Sequence, residues 1–330
     1  MQTPVTVLEH LLVVNLDIHI WSARKKLSPV DLGDALLPPG DLASLGSKRI
    51  CNPEELRTFA ALKARAINTL DRNGIRFLGG WAVPESRMDA ISTELAAIRD
   101  EFNSAKDAFL RRYDQSIQDW IARHPQWGNI IADSIVSDEY VRSRMGFRWQ
   151  MFHVSPPNNC DTATPDMLHE EISGLGATLF DEIAKAAKEA WQRCYKGKTE
   201  VTRKALSPLR SMHDKLIGLS FVEPHTVPIA ELIQTAFAAI PKRGAITGRT
   251  LHMLQSLLCM LQSPSLLLEH SQGIIEGRQS SQGLLAFLAQ PSDMDMLITI
   301  ETDPVISDSE CSVIPSPVQS PAVIESHGLW

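Results

Sequence analysis

Two segments that lie far apart in the chain alternate apolar and polar residues with the period of a β-strand. Residues 11–21 place apolar side chains such as Leu16 and Ile18 on one face and polar ones such as Asp17 on the other. Residues 145–154 repeat this alternation. Because a lone strand leaves its backbone hydrogen-bonding groups unpaired, we expect the two segments to pair as a small two-stranded β base.

Helical signals fill the chain between these two strands. Asn52 followed by proline is typical of a helix start, and Gly74 is typical of a helix end in the left-handed conformation. A second helix is predicted from Pro84 to His124, and its apolar residues have the spacing of a coiled-coil seam: Met88, Ile91, Leu95, Ile98, Phe102, Ala105 and Phe109. The pattern predicts a helical hairpin over residues 52–124 that projects as an arm of roughly 60 Å. It leaves open whether the seam pairs within one chain or between two chains as a homo-oligomer.

Helical periodicity also dominates the second half of the chain. One apolar stripe follows the positions Leu168, Ile172, Leu175, Leu179, Ile183, Ala186 and Ala190. After a turn at Gly197, a return helix and three shorter helices are predicted over residues 206–219, 228–240, 250–261 and 265–273. Residues 291–330 are rich in serine, proline and acidic residues, a composition that predicts a disordered tail.

These patterns predict a mainly α fold class, with long antiparallel helical hairpins on a small two-stranded β base, a helical C-terminal region and a disordered tail. The predicted units follow the same patterns. They are the strand pair enclosing the hairpin 52–124 (residues 1–155), a second hairpin (156–222), a region of short helices (223–290) and an acidic tail (291–330).

One short stretch departs from its helical surroundings. Residues 72–87, RNGIRFLGGWAVPESR, gather apolar side chains around a Gly-Gly pair between two predicted helices. Because glycine permits a tight reversal, we interpret the stretch as the tip of the hairpin rather than a strand of a larger sheet. Its apolar residues either fold back onto the hairpin's own helices or form a partner-docking patch. The candidate docking residues are Arg76, Phe77, Leu78, Trp81 and Val83.

The distribution of charge and cysteine narrows the function classes. The chain has 32 Lys and Arg against 39 Asp and Glu, and residues 279–330 hold seven of the acids and no Lys or Arg. The rest of the chain is therefore neutral, which disfavours a strong nucleic-acid binder, since such proteins carry a basic excess. The five cysteines are scattered, as expected of free thiols in a reducing compartment. Because the sequence shows no signal peptide and no membrane span, we expect a soluble cytoplasmic protein.

The sequence offers only weak candidates for a chemical site. Gly197-Lys198-Thr199 matches the end of a phosphate-binding loop, but the glycine that this motif requires at position 192 is a glutamine. Asp17, His19 and His153 could share the β base and hold a metal ion, although structural hydrogen bonding is the simpler interpretation. We therefore predict no catalytic residue, no cofactor and no metal.

Four motifs occur in the order Ile20-Trp21-Ser22-Ala23-Arg24-Lys25-Lys26-Leu27, Gly46-Ser47-Lys48-Arg49, Arg76-Phe77-Leu78-Gly79-Gly80-Trp81-Ala82-Val83-Pro84 and Glu139-Tyr140-Val141-Arg142-Ser143-Arg144. Over roughly residues 5–290 the chain thereby resembles an uncharacterised bacterial family of mobile genetic elements, the domain of unknown function 3150. Such genes occur on integrative conjugative elements, plasmids and phages, often near a MoxR-type AAA+ ATPase and a protein with a von Willebrand A domain. The resemblance implies an adaptor or substrate of an ATPase-driven remodelling module, and it supplies no catalytic residues.

The combined prediction is a non-enzymatic interaction or adaptor protein. We expect it to work with the AAA+ ATPase or the von Willebrand A domain protein, through the tip or through the acidic, apolar peptide of residues 294–300. The alternative is a nucleic-acid-handling accessory protein whose contact is formed by cations of the first hairpin helix: Arg57, Lys63, Arg65, Arg72 and Arg76. A metal-dependent enzyme and a membrane-perforating toxin are further alternatives.

Overall fold

The main sheet of the protein has four antiparallel strands. The computed structural model describes residues 7–33, 38–39, 41–155 and 164–290. In the sheet, the strands lie in the order β4 (Ile75–Phe77), β5 (Gly80–Pro84), β1 (Leu11–His19) and β6 (Gly146–Phe152). The predicted pairing of the two alternating segments is confirmed, because β1 and β6 are antiparallel partners along their length. The predicted two-stranded base is wrong, because the base has four strands.

The stretch 72–87 supplies the two additional strands and is not the tip of an arm. β5 pairs with β1, from Leu11 opposite Pro84 to Val14 opposite Trp81, and β4 pairs with β5. The backbone groups that a free tip would leave unpaired are therefore used in the sheet.

The sheet lies between two hydrophobic clusters, and this position explains the unbroken apolar run at the start of β1. Leu11 and Val13 belong to the C-terminal cluster, built mainly with helices of residues 164–290. Leu12 and Val14 belong to the N-terminal cluster, built mainly with helices of residues 57–123. Because successive side chains of a strand point to opposite faces, a strand that is covered on both faces has no polar face.

The same geometry explains the composition of the two strands that the sequence interpretation missed. Ile75, Phe77 and Ala82 face the C-terminal cluster, whereas Trp81 and Val83 face the N-terminal cluster. The stretch is apolar because both of its faces are buried.

The predicted predominance of helix is confirmed. The N-terminal half holds α1 (Arg57–Asn73), α2 (Met88–Arg111), α3 (Tyr113–Arg123), α4 (Gly128–Ala132) and α5 (Asp138–Ser143). The C-terminal half holds α6 (Thr164–Ser173), α7 (Leu175–Ala190), α8 (Ser207–Gly218), α9 (Thr226–Ala238), α10 (Gly248–Leu261), α11 (Pro264–Ile275) and α12 (Ser281–Leu288). The last of these was not predicted from the sequence.

The first long helix starts and ends at the predicted residues, but the conformation predicted for its C-terminal glycine is wrong. The Asn52 side chain accepts a hydrogen bond from Glu54 N at 3.2 Å, ahead of a short 3₁₀ turn that leads into α1. Gly74 has φ −140°, so it is extended rather than left-handed. A Cβ atom at this position would lie 2.7 Å from Ala82 O, so the close approach of β5 is what requires glycine.

The predicted single helix from Pro84 to His124 is broken at Arg112. At this residue φ is −105° and ψ is 3°, and α3 begins at the next residue. The break accompanies the burial of Tyr113, whose hydroxyl donates to Val136 O at 2.9 Å. Five seam positions are at most 2% exposed within the chain: Ile91, Leu95, Ile98, Phe102 and Phe109. The seam therefore faces the chain's own core rather than running along a projecting arm, and coiled-coil geometry stays a prediction.

Two small ribbons complete the described structure. β2 (Arg24–Lys26) pairs with β3 (Ser47–Arg49), and β7 (Glu200–Val201) pairs with β8 (Ile246–Thr247). The described residues up to Gln290 form one compact unit, and the predicted boundaries within it stay predictions. The predicted disordered tail, with its 294–300 peptide, lies outside the described residues.

No single helix within the described ranges has both the length and the apolarity needed to cross a bilayer. α10 and α11 meet these two criteria only when taken together, and they are bent by 107° where they join.

Candidate interaction site

The turn between β4 and β5 holds a large apolar residue in an unusual backbone conformation. Leu78 and Gly79 join the two strands, with Phe77 opposite Gly80. Both loop residues have positive φ, 48° for Leu78 and 76° for Gly79. A two-residue hairpin loop with positive φ at both positions strongly prefers Asn-Gly, because a leucine Cβ crowds the backbone there. In addition, Leu78 is 51% exposed to solvent.

The structure separates the five predicted docking residues into two groups. Phe77, Trp81 and Val83 are at most 5% exposed and fill the two cores. Of the two alternatives left open by the sequence, the exposed patch is therefore wrong for these three residues. Leu78 and Arg76 remain accessible. Docking through these two residues stays a prediction.

Polar contacts hold this hairpin in place from both halves of the protein. Trp81 Nε1 donates to the Asp71 carboxylate at 2.7 Å, and Arg76 N donates to Glu182 Oε1 at 3.1 Å. The Arg76 guanidinium stacks 3.8 Å above the Trp81 ring centre and lies 3.2 Å from Asp71. The turn is therefore presented by a fixed frame.

A buried lysine extends this frame into the C-terminal half. Lys215 is 7% exposed and donates to Glu182 Oε2 at 2.5 Å and to Asp71 O at 2.6 Å. Glu182 thus joins α7 to α8 through Lys215 and to β4 through its second oxygen. This contact between the halves was not predicted, because its members lie far apart in the sequence.

A second accessible feature is the β2–β3 ribbon, which we call the basic ribbon. Arg24 lies directly opposite Arg49, and Lys25 lies opposite Lys48. The Lys48 ammonium pairs with the Asp31 carboxylate at 2.5 Å. Hydrogen bonds from Lys48 and Ser28 lower the pKa of Asp31 to about 2, so this carboxylate is ionised at neutral pH.

Beside the basic ribbon lies a cleft of about 250 Å³, which we call the tryptophan cleft. Its lining is mainly apolar and comprises Leu27, Leu32, Lys48, Arg49, Trp120, His124, Trp127, Ile130 and Ile131. Trp120 Nε1 donates to Arg49 O at 3.2 Å and so ties the cleft to the basic ribbon. Trp127 is 55% exposed. His124 packs edge-on against Trp120 at 4.3 Å between ring centres, and its buried Nε2 has no hydrogen-bond partner within the described residues.

The sequence carried only a weak signal for this second feature. The ribbon residues occur in two of the motifs that resemble the family, but short basic segments alone do not indicate a cleft. Trp120 and Trp127 come from α3 and from the turn after it, and only the fold brings them to the ribbon.

The structure brings Asp17 and His19 together but not His153, the third candidate metal residue. Asp17 lies 2.5 Å from His19 Nε2 and 2.9 Å from the Arg148 guanidinium, as expected of surface hydrogen bonding. His19 pairs with Gly146 at one end of β6, whereas His153 follows the other end. Within the described ranges no group of His, Cys, Asp and Glu side chains could hold a metal ion.

The glycine of the phosphate-loop-like triplet and a buried cysteine both have ordinary structural roles. Gly197, the glycine of the phosphate-loop-like triplet, has φ 67° in the turn before β7. Cys51 is a free, buried thiol, and burial raises its pKa, which opposes thiolate formation.

The cations proposed for nucleic-acid binding on the first hairpin helix are largely paired with acids. Arg57 lies 3.3 Å from Glu54, and Arg65 lies 2.8 Å from Glu101. Arg76 pairs with Asp71. Most of this row is locally neutralised, which weakens its attraction for a phosphate backbone.

A histidine network links α9 to α11 in the C-terminal half. His225 Nδ1 lies 2.5 Å from the Glu223 carboxylate, and Nε2 lies 2.8 Å from Gln272 Oε1. The buried Ser271 hydroxyl donates to His225 O at 2.9 Å. Burial lowers the pKa of His225, but hydrogen bonds to Gln272 and Glu223 outweigh burial, so this pKa lies above its ordinary value of 6.5.

We expect this network to make stability dependent on pH. Because the folded-state pKa of His225 is raised, its contribution is fully present below the unfolded pKa of 6.5 and is lost as pH rises through the folded-state pKa. The melting-temperature difference between wild type and His225→Gln should therefore be larger at about pH 5.5 than at about pH 9. Thermal melts of wild type and His225→Gln at the two pH values measure this difference. Glu223→Gln is a second variant, which removes the carboxylate. An equal difference at both pH values would contradict the assignment.

The chain matches the model of a known protein family. A family model described as Protein of unknown function (DUF3150) matches residues 8–263. No curated protein and no solved structure matches the chain. The matched range contains both the β4–β5 turn and the tryptophan cleft.

Proposed function

We propose that this chain, which belongs to the family DUF3150, is a non-enzymatic adaptor. It docks a protein partner through the β4–β5 turn. The favoured partner is a MoxR-type AAA+ ATPase of the same mobile genetic element, working in the cytoplasm with a von Willebrand A domain protein. This choice of partner rests on the family resemblance of the sequence motifs.

The observation that carries the docking proposal is the conformation of Leu78. Its left-handed backbone costs about 1–2 kcal/mol relative to glycine, and half of its apolar side chain is exposed to solvent. Stability of the isolated chain does not favour leucine at this position. Strained residues cluster at functional sites, and an exposed apolar anchor is typical of an interface hot spot.

The contacts beneath the turn support the same proposal. Arg76, held over Trp81 and beside Asp71, adds a cation next to the apolar Leu78 side chain. Glu182 accepts a hydrogen bond from the backbone of β4 at Arg76, and Lys215 holds Glu182 in place. A preorganised turn loses less conformational entropy on binding than a flexible loop does.

Replacing Leu78 with asparagine tests the proposal because stability and binding should change in opposite directions. Asparagine tolerates positive φ better than leucine, so we expect the free energy of unfolding to rise by about 0.5–1 kcal/mol. Loss of the anchor should reduce recovery of the ATPase by at least about tenfold. Denaturant unfolding measures the first effect, and affinity capture of the tagged full chain from its host with mass spectrometry measures the second.

Ile275→Asn is the matched control. Ile275 is 52% exposed at the end of α11, so this substitution removes a similar exposed apolar side chain elsewhere. We expect capture to be unchanged in the control. Equal capture by wild type and Leu78→Asn would contradict docking through the turn, and failure of wild type to capture a AAA+ ATPase would contradict the choice of partner.

A further inference from the structure

We propose that the basic ribbon and the tryptophan cleft together bind an acidic segment of a partner protein, which inserts one large apolar side chain into the cleft. This goes beyond the adaptor function proposed for the β4–β5 turn, because the two surfaces share no residue. It would give the protein a second docking surface.

The charge arrangement on the basic ribbon favours an anionic partner. Directly opposed residues of an antiparallel pair have side chains on the same face, so Arg24 and Arg49 lie together, with Lys26 two residues along. Opposed like charges destabilise a sheet, and a two-stranded ribbon is only marginally stable by itself. A carboxylate-rich segment would relieve this repulsion.

The two faces of the basic ribbon differ in whether their cations are paired with acidic residues. Lys48, on the face of Lys25, has its partner in Asp31. Arg24, Lys26 and Arg49 take part in no ion pair with any described residue. This face therefore carries cations that no described acid pairs with, and a partner would meet them.

The tryptophan cleft selects the kind of partner. Its volume of about 250 Å³ is below the roughly 300–1,000 Å³ of drug-sized ligand pockets, so it suits one large side chain. Trp120 is fixed by its hydrogen bond to Arg49 O, and Arg49 itself lines the cleft, so the cleft includes a residue of the cationic face. Trp127, exposed at the rim, is an aromatic residue of the type enriched in interface hot spots.

The lining favours a peptide over a nucleic acid. Single-stranded nucleic acids bind to series of exposed aromatic faces along a basic groove. Here Trp120 is a hydrogen-bonded wall, and much of the remaining lining is aliphatic, including Leu27 and Ile131. Aliphatic walls offer no partners to the polar edges of a base but suit an apolar side chain.

Selection from a display library of short random peptides on the full-length protein tests this proposal. We expect the enriched peptides to combine several Asp or Glu residues with one Trp, Phe or Leu. Fluorescence anisotropy of synthetic copies of these peptides measures their affinity. They should bind Arg49→Glu and Trp127→Ala at least about tenfold more weakly than wild type. Their affinity for wild type should fall as the salt concentration rises. Both substitutions alter exposed side chains, and thermal melts check that the variants fold.

Lys63→Glu and Phe287→Ala serve as controls, because they change an exposed cation and an aromatic residue of 68% exposure outside the cleft. Peptide affinity should be unchanged in both. No enrichment, enrichment without acidic residues, or equal binding by the cleft variants would overturn the proposal. Binding of oligothymidylate that is lost in Arg49→Glu, without acidic-peptide binding, would assign the surface to nucleic acid instead.

Discussion

Replacing Glu182 with leucine is expected to lower the free energy of unfolding by about 3–5 kcal/mol. The substitution leaves the Lys215 ammonium, which is 7% exposed, with Asp71 O as its remaining acceptor. It also removes the acceptor of the Arg76 backbone amide. A buried charge that loses its partner keeps the full cost of its removal from water. Urea unfolding of wild type and variant measures the difference.

The double variant Glu182→Leu with Lys215→Met separates the cost of an unpaired charge from the cost of lost packing. Removing both charges should restore most of the loss, because an apolar pair of similar volume often replaces a buried ion pair at little cost. Glu189→Leu on the same helix is the control, since Glu189 lies 3.7 Å from Arg193 in an exposed pair. It should change stability by less than about 1 kcal/mol. A double variant as unstable as Glu182→Leu would contradict the role of the unpaired lysine.

Phe102→Ala is the second substitution with a large expected effect, again a loss of about 3–5 kcal/mol. Phe102 is fully buried in the N-terminal cluster, with its ring centre 5.1 Å from that of Phe59 and 5.8 Å from that of Phe147. Alanine would leave a cavity among helix α1, helix α2 and strand β6. Denaturant unfolding measures the loss, with the exposed Glu94→Ala on the same helix as a control of little expected effect.

The same variant tests whether the seam joins two chains. Because its residues are buried against the chain's own sheet and helix, we expect the stability loss to be equal at low and high protein concentration. An interface between chains would make the loss depend on concentration. Size-exclusion chromatography that shows wild type as a dimer and Phe102→Ala as a monomer would instead support a homo-oligomer through the seam, the alternative that the sequence left open.

Several elements could be predicted because their signals are local or have a clear period. The pairing of β1 with β6 follows from two alternating segments, and the positions of α1 and α10 follow from apolar periodicity with recognisable starts. Helix α12 was not predicted. The break at Arg112 was missed because no proline or glycine marks residue 112.

The β4–β5 hairpin was misinterpreted for a physical reason. A strand buried on both faces has no alternation, so its apolar run around two glycines also fits a turn at the end of a hairpin. Only the position of β5 beside β1, between two clusters, shows why both faces are apolar.

For the candidate sites too, part of the description follows from the sequence and part only from the tertiary structure. The sequence by itself determined the helical class, the strand pair at the base and the stretch in which Leu78 lies. Only the tertiary structure decided that Phe77 and Trp81 are core, that Leu78 stays exposed, and that Arg49 meets Trp120 and Lys215 meets Glu182. These pairs come from separate elements, and contacts between separate elements form only when the chain folds around a common core.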